Sequence, residues 1–173
     1  SNTIIQDGCY IGSHVIIYQG AVVEKGTAIE EQGVIESGVQ IGQSSYIVYG
    51  AQLGANSKVG DQCVIGGFVA ERTEIGKRSR IFGSLLHRHH EPHLPWDENI
   101  EPSPTLGDNV IVGFNSSVIG DIDVGNNVYI TANTLVTEDV PPETIVTGRD
   151  NKIPIEEWQG PLSDTPYLST NGG

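Results

Sequence analysis

Aliphatic side chains fall at Ile5, Ile11, Ile17, Val23, Ile29, Ile35, Ile41, Ile47, Leu53, Val59 and Ile65, eleven consecutive positions spaced six residues apart. After a slip of two residues the spacing resumes at Ile75 and Ile81, and it returns at Leu106, Val112, Val118, Val124, Ile130 and Val136. An amphipathic helix repeats about every 3.6 residues and a half-buried strand every two, so neither accounts for a period of six. The other hexad positions are patterned too. Four residues after each aliphatic stands a small or β-branched residue, as at Cys9, Ala21, Thr27, Ser45, Cys63, Ser79, Ser116 and Thr134. Three residues after it stand Gly8, Gly20, Gly26, Gly38 and Gly50, or Asn56, Asn109, Asn115, Asn127 and Asn133. Gly and Asn accept a positive φ at tight corners. Each hexad therefore reads as a short strand followed by a turn.

Three hexads would close one triangular coil, with the aliphatic inside and the small residue near the corner. Stacked coils, each hydrogen-bonded to the next about 4.8 Å away, make a parallel β-helix. The expected fold is all-β, and the nineteen hexads amount to about six triangular coils over residues 3–148. Cys9 and Cys63 share a hexad position and lie 54 residues apart, three coils of eighteen. That puts them roughly 14 Å apart in one column, too far for a disulfide, so both are expected to be packing residues.

Between Ile81 and Leu106 the beat stops. His87-Arg88-His89-His90-Glu91-Pro92-His93 holds four of the five histidines, and Pro92, Pro95, Pro102 and Pro104 exclude regular helix and central strand. Residues 87–105 are expected to be a loop inserted between two coils, and long loops on rigid scaffolds are where function concentrates. His14, isolated on a turn, carries no such expectation. Residues 149–173 leave the repeat as a C-terminal extension. One helical turn is expected around Pro154–Trp158, followed by an extended tail.

Charge narrows the partners. The 173 residues carry a formal charge of −13, which argues against a nucleic-acid backbone as ligand. Arg72, Lys77, Arg78, Arg80 and Arg88 fall within seventeen positions, either as ordinary surface charge or as a local anion patch. No stretch is long and apolar enough to cross a bilayer and no signal-peptide pattern opens the chain, so no membrane partner and a cytoplasmic location are expected. The chain opens on Ser1-Asn2 and contains no Met; these two residues are left out of the fold reading.

The hexad pattern resembles the hexapeptide-repeat acyltransferases, which fold as left-handed parallel β-helices. Crossovers are ordinarily right-handed, so the hand is what the resemblance implies. The loop resembles that of the galactoside, maltose and xenobiotic acetyltransferase branch, where a His-x-x-His-His motif precedes a hexad beginning Ile-Gly-Asn/Asp-Asn. Here His87 stands twenty residues before Gly107 of Leu106-Gly107-Asp108-Asn109. His90 matches the second His of the motif, and Glu91 stands where the third would be.

That resemblance implies an acetyl-CoA-dependent O- or N-acyltransferase acting on a sugar-like or other small acceptor. His87 would be its general base and His90 a helper. Imidazole suits the role because its pKa lies near neutrality. A carboxylate would orient the ring, with Glu91, Asp97, Glu98 and Glu101 as candidates. Trp96 and Glu91 would meet the acceptor, although Trp96 could equally anchor the loop. Gly113 and Ala132 would let the pantetheine arm approach, and Arg149 and Lys152 would meet CoA phosphates. The family's terminal signature runs through Val140-Pro141-Pro142 to Gly148, then departs at Arg149-Asp150-Asn151-Lys152-Ile153-Pro154. Family members are generally homotrimers with sites in the clefts between prisms.

Two other classes compete. His87, His89, His90 and His93 are zinc-ligand types, which would suit a hydratase resembling the γ-class carbonic anhydrases. In that family, however, the ligands sit on the coils, so no metal is assigned here. The remaining class is a non-catalytic trimeric β-helix used as an assembly module.

Overall fold

The computed structural model describes residues 2–87 and 101–158. Short strands, mostly of two residues, alternate with turns and collect into three sheets. The first sheet runs Ile4–Ile5, Val22–Val23, Gln40–Ile41, Lys58–Val59, Glu74–Ile75, Thr105–Leu106 and Asp123–Val124. The second begins at Tyr10–Ile11 and the third at Ile16–Ile17, each strand pairing in parallel with its counterpart on the next coil. This is the left-handed parallel β-helix implied above.

Register keeps the aliphatics inside. Ile5 pairs with Val23, Val23 with Ile41 and Ile41 with Val59, each eighteen residues on. Backbone amides reach the carbonyls of the next coil, as from Ile4 to Ala21 and from Gln6 to Val23, both at 2.9 Å. Val23, Ile29, Ile35, Ile47 and Leu53 are fully buried. The first coil is different, because among the described residues no coil stacks beneath it. Ile5 and Ile11 occupy inward positions yet remain 47% and 38% exposed.

The stack holds about seven coils rather than six. The two-residue slip conceals an inward position. Val69 lies four residues after Ile65 on strand Phe68–Val69, and Leu85 lies four after Ile81 on Ser84–Leu86. The corner from the second sheet to the third is two residues shorter on both coils. The second residue of such a corner has no room for a side chain. A Cβ on Gly67 would stand 1.8 Å from the Gly83 carbonyl oxygen, and one on Gly83 would stand 2.4 Å from that of Ser116. Val140 and Val146 extend the inward column beyond Val136.

All ten Gly and Asn residues singled out at the corners have positive φ. So do His14, Gln32, Ser44, Gln62, Arg72, Arg78 and Glu143 at the same hexad position. The turn therefore demands the left-handed conformation even of residues that disfavour it by about 1 kcal/mol.

Between the first and second sheets, the small residues form a ladder that satisfies buried carbonyls. Cys9 Sγ donates to Glu24 O at 3.1 Å, Thr27 Oγ1 to Gly42 O at 2.9 Å, Ser45 Oγ to Gly60 O at 3.0 Å and Cys63 Sγ to Gly76 O at 3.1 Å. Both cysteines are free thiols in this column.

The end of the stack is closed by a hairpin. Thr144–Thr147 pairs in parallel with Tyr129–Ile130, and Asn151–Pro154 returns antiparallel along it. The C-terminal extension thus begins as a strand that the sequence did not announce, because Gly148 and Asp150 turn the chain at positive φ. The expected helical turn follows as a 3-10 turn over Ile155–Glu157. The rest of the extension, from residue 159, lies outside the described residues.

Two measurements probe this packing. Gly67→Ala is expected to lower stability by about 3 kcal/mol or more, because its Cβ meets backbone that cannot move aside. Gly50→Ala meets nothing within 4 Å, so only its positive φ opposes the side chain and about 1 kcal/mol is expected. Urea denaturation of both variants tests the contrast, and equal losses would contradict it. Burial pushes the Cys63 thiol up to about 11, which leaves little reactive thiolate at neutral pH. Iodoacetamide should therefore label Cys63 only after denaturation; rapid labelling of the native protein would show that the corner opens.

Candidate active site

The inserted loop leaves the stack at one corner. Ser84–Leu86 ends the third sheet on the fifth coil and Thr105–Leu106 resumes the first sheet, pairing with Glu74–Ile75. Register there jumps 31 residues, from Ile75 to Leu106, where a full coil takes eighteen. The strands on both sides are committed to their neighbours, so the extra residues are confined to the connection between them.

His87 is the first residue beyond the strand, 23% exposed at its side chain. The backbone just before it is tied to the next coil, with Gly120 N donating to Leu86 O at 2.9 Å. His87 Nδ1 is hydrogen-bonded to a carboxylate oxygen of Glu101, whose side chain is 4% exposed. Of the four carboxylates named for orienting the ring, Glu91, Asp97 and Glu98 lie outside the described residues, and the described one, Glu101, meets it. A carboxylate on Nδ1 selects the tautomer that carries its proton there, which makes Nε2 the basic nitrogen.

Glu101 is held from a different coil. Arg72, on the corner below, donates from its guanidinium to Glu101 O at 3.1 Å and to Glu71 Oε1 at 3.0 Å. Ser103 Oγ donates to Glu71 O at 2.6 Å. Sequence reasoning did not find Glu71 or Ser103, since neither belongs to a motif and only the fold brings them to the loop. Two shallow depressions on the first sheet meet at Thr105 and Leu106, one bordered by Lys58 and Glu74 and the other by Asp123 and Asp139. His87 lines neither.

The remaining candidates are distributed elsewhere. His90, Glu91 and Trp96 lie outside the described residues, as do His89 and His93. Gly113 and Ala132 adjoin each other on successive coils; a Cβ on Gly113 would stand 2.6 Å from Ala132 N. They occupy the corner between the second and third sheets, whereas His87 sits at the corner between the third and first. One chain therefore does not gather them around the imidazole. Arg149 is exposed beside the end of the third sheet, where it bridges to Leu135. Lys152 Nζ pairs with Glu138 Oε2 at 3.3 Å. Asp150 between them resists burial's upward pull, because the backbone N–H and hydroxyl of Thr137 hold its carboxyl below the usual range.

The basic cluster is not a single patch. Arg72 is on the loop's corner, Lys77 pairs with Asp61 at 3.0 Å, and Arg78 bonds Asn109 Oδ1 at 2.8 Å and lies 3.9 Å from Asp108. Arg80 stands on the second sheet. Among the described residues, no three His, Cys, Asp or Glu side chains are grouped to hold a metal ion, and no helix is long and apolar enough to cross a membrane.

Comparison with known proteins supports the same architecture. A family model described as the hexapeptide repeat of succinyl-transferase matches residues 32–60 and 105–138, on either side of the loop. The chain is 31% identical over 86 residues to the bifunctional protein GlmU of Thermoanaerobacter pseudethanolicus, covering 49% of this chain and 17% of that protein. With GlmU of Baumannia cicadellinicola it shares 26% over 125 residues, 64% of this chain and 26% of that one. The chain thus spans about a quarter or less of these relatives. A crystal structure of a UDP-N-acetylglucosamine acyltransferase superposes with a TM-score of 0.51 at 14% identity, covering 88% of this chain and 68% of that one, and so shares the fold. Repeat spacing, coil register and family model agree: the chain carries hexapeptide repeats that match that model over residues 32–60 and 105–138, and it folds as a left-handed β-helix.

Proposed function

We propose that this protein is an acyltransferase in which His87 is the general base and acetyl-CoA is the acyl-donor substrate. The observation that carries the reading is the His87–Glu101 pair at the root of the inserted loop. With its Nδ1 proton held by Glu101, His87 presents a basic Nε2 to a hydroxyl or amine of a small, sugar-like acceptor. As the acceptor attacks the thioester carbonyl, its proton passes to Nε2 and a new C–O or C–N bond forms. The C–S bond then breaks, and the CoA thiolate leaves with the proton returned from the imidazolium. Glu101 stays ionised throughout, orienting the ring and stabilising its transient charge.

The donor site is completed by a second copy. Gly113 and Ala132 lie on a different corner from His87, so a cleft between two prisms of a trimer would bring the base of one chain to the glycine-lined edge of another. Arg149 and Lys152, at the end of the stack, would meet the CoA phosphates, with Lys152 exchanging its contact with Glu138 for a phosphate oxygen. His90, Trp96 and Glu91 belong to the acceptor side in this reading.

Isothermal titration with acetyl-CoA and a transfer assay across sugar, nucleotide-sugar and amine acceptors test the proposal. His87→Ala is expected to reduce turnover by about 100-fold or more while CoA still binds, since a base does chemistry without anchoring the donor. Unchanged turnover in His87→Ala would remove the base. Stoichiometric zinc in the purified protein without CoA binding would replace the reading with metal-assisted hydration.

A further inference from the structure

We propose that Arg72 is a positioning residue for the His87–Glu101 pair, a clasp that sets the loop's return segment against the imidazole. The inference rests on the acyl-transfer reading for its kinetic consequence, but its geometric part stands apart from it.

The backbone at position 72 does not favour arginine. Arg72 has φ +58°, the left-handed corner conformation for which Gly or Asn is the unstrained choice. Its side chain is nevertheless put to use. The guanidinium spans from Glu71 Oε1 to the backbone carbonyl of Glu101, so it joins the fourth coil's corner to the far end of the insertion. Ser103 Oγ adds a second tie two residues later, to Glu71 O. His87 and Glu101 thus approach each other from different anchorages. His87 hangs from the end of the third sheet, fixed by the Gly120–Leu86 bond. Glu101 follows a long insertion and takes its place from the corner below. A carboxylate that must meet one ring nitrogen tolerates little displacement, and small misplacements are costly in rate.

Arg78 supplies an internal control. It occupies the equivalent hexad position at φ +56°, and its guanidinium bonds Asn109 rather than the loop. Replacing either arginine with glycine relieves the same backbone strain, so the fold should survive both changes. Only one of them removes a bond to Glu101.

The test compares Arg72→Gly, Arg72→Lys, Ser103→Ala and Arg78→Gly in the full chain. Ring-nitrogen NMR of 15N-histidine protein, without any ligand, reports the His87 tautomer. Turnover is followed as thiol released from acetyl-CoA in the presence of the acceptor identified by the assay above. Arg72→Gly is expected to keep the wild-type melting temperature or exceed it, to lose the single Nδ1–H tautomer, and to lower kcat tenfold or more with KM for acetyl-CoA within twofold. Arg72→Lys, which retains one donor, should recover part of both signals, and Ser103→Ala should fall between it and wild type. Arg78→Gly should match wild type in tautomer and kcat. A wild-type tautomer in Arg72→Gly overturns the clasp, as does an equal loss in Arg78→Gly. If the tautomer is lost while kcat is unchanged, the clasp stands and His87 is not the base.

Discussion

Everything in this protein depends on pairing each strand with the one a coil earlier, residue opposite residue. Two-residue strands have no stability of their own; they persist because they are hydrogen-bonded to the neighbouring coils, on both edges everywhere inside the stack. That arrangement commits the chain to whole coils. A change of length must be confined to a corner, and a shortened corner brings its backbone close against that of the next coil. Gly67 shows the second rule, since the Gly83 carbonyl oxygen lies where a side chain on Gly67 would have been. The His-rich insertion shows the first. It begins where a strand ends and returns at Thr105 in register with Glu74.

The corners differ in how their polar groups are satisfied. Between the first and second sheets, hydroxyls and thiols in one column reach the carbonyls of the next coil. At the corner carrying the insertion, the buried column is Ala21, Val39, Ser57 and Thr73. Ser57 Oγ and Thr73 Oγ1 find no partner there among the described residues. The polar contacts at this corner lie on its outer rim instead, where Glu71, Arg72 and Ser103 tie down the returning loop. An ordered scaffold and a long excursion thus meet at one seam, and the imidazole sits on it.

The proposed general base draws on distant parts of the chain. His87 and Glu101 are fourteen residues apart, and Arg72 precedes Glu101 by twenty-nine. In the proposed mechanism His87 and Glu101 supply the chemistry, and the coil beneath supplies their alignment through Arg72. Placing such a pair on a corner also leaves the flat faces available for packing against further copies, which is the geometry that the proposed trimeric clefts require.

By itself, the sequence determined the period, and with it the inward column, the left-handed corner residues, the paired cysteine positions and the location of the insertion. These were legible because each depends on a local choice repeated many times: an aliphatic every six residues, a Gly or Asn three later. Val69 and Leu85 were not, because a four-residue step looks like a lapse until the neighbouring coil shows that it closes. The strand after Gly148 was hidden for a related reason, since its partner is the preceding strand and not a repeat. His87 stood out by spacing alone. The hydrogen bond between His87 and Glu101, and the contacts of Arg72 with Glu71 and Glu101, are visible only in the tertiary structure. Stacking sets residues from different coils side by side, and no spacing within one coil records which of them will touch.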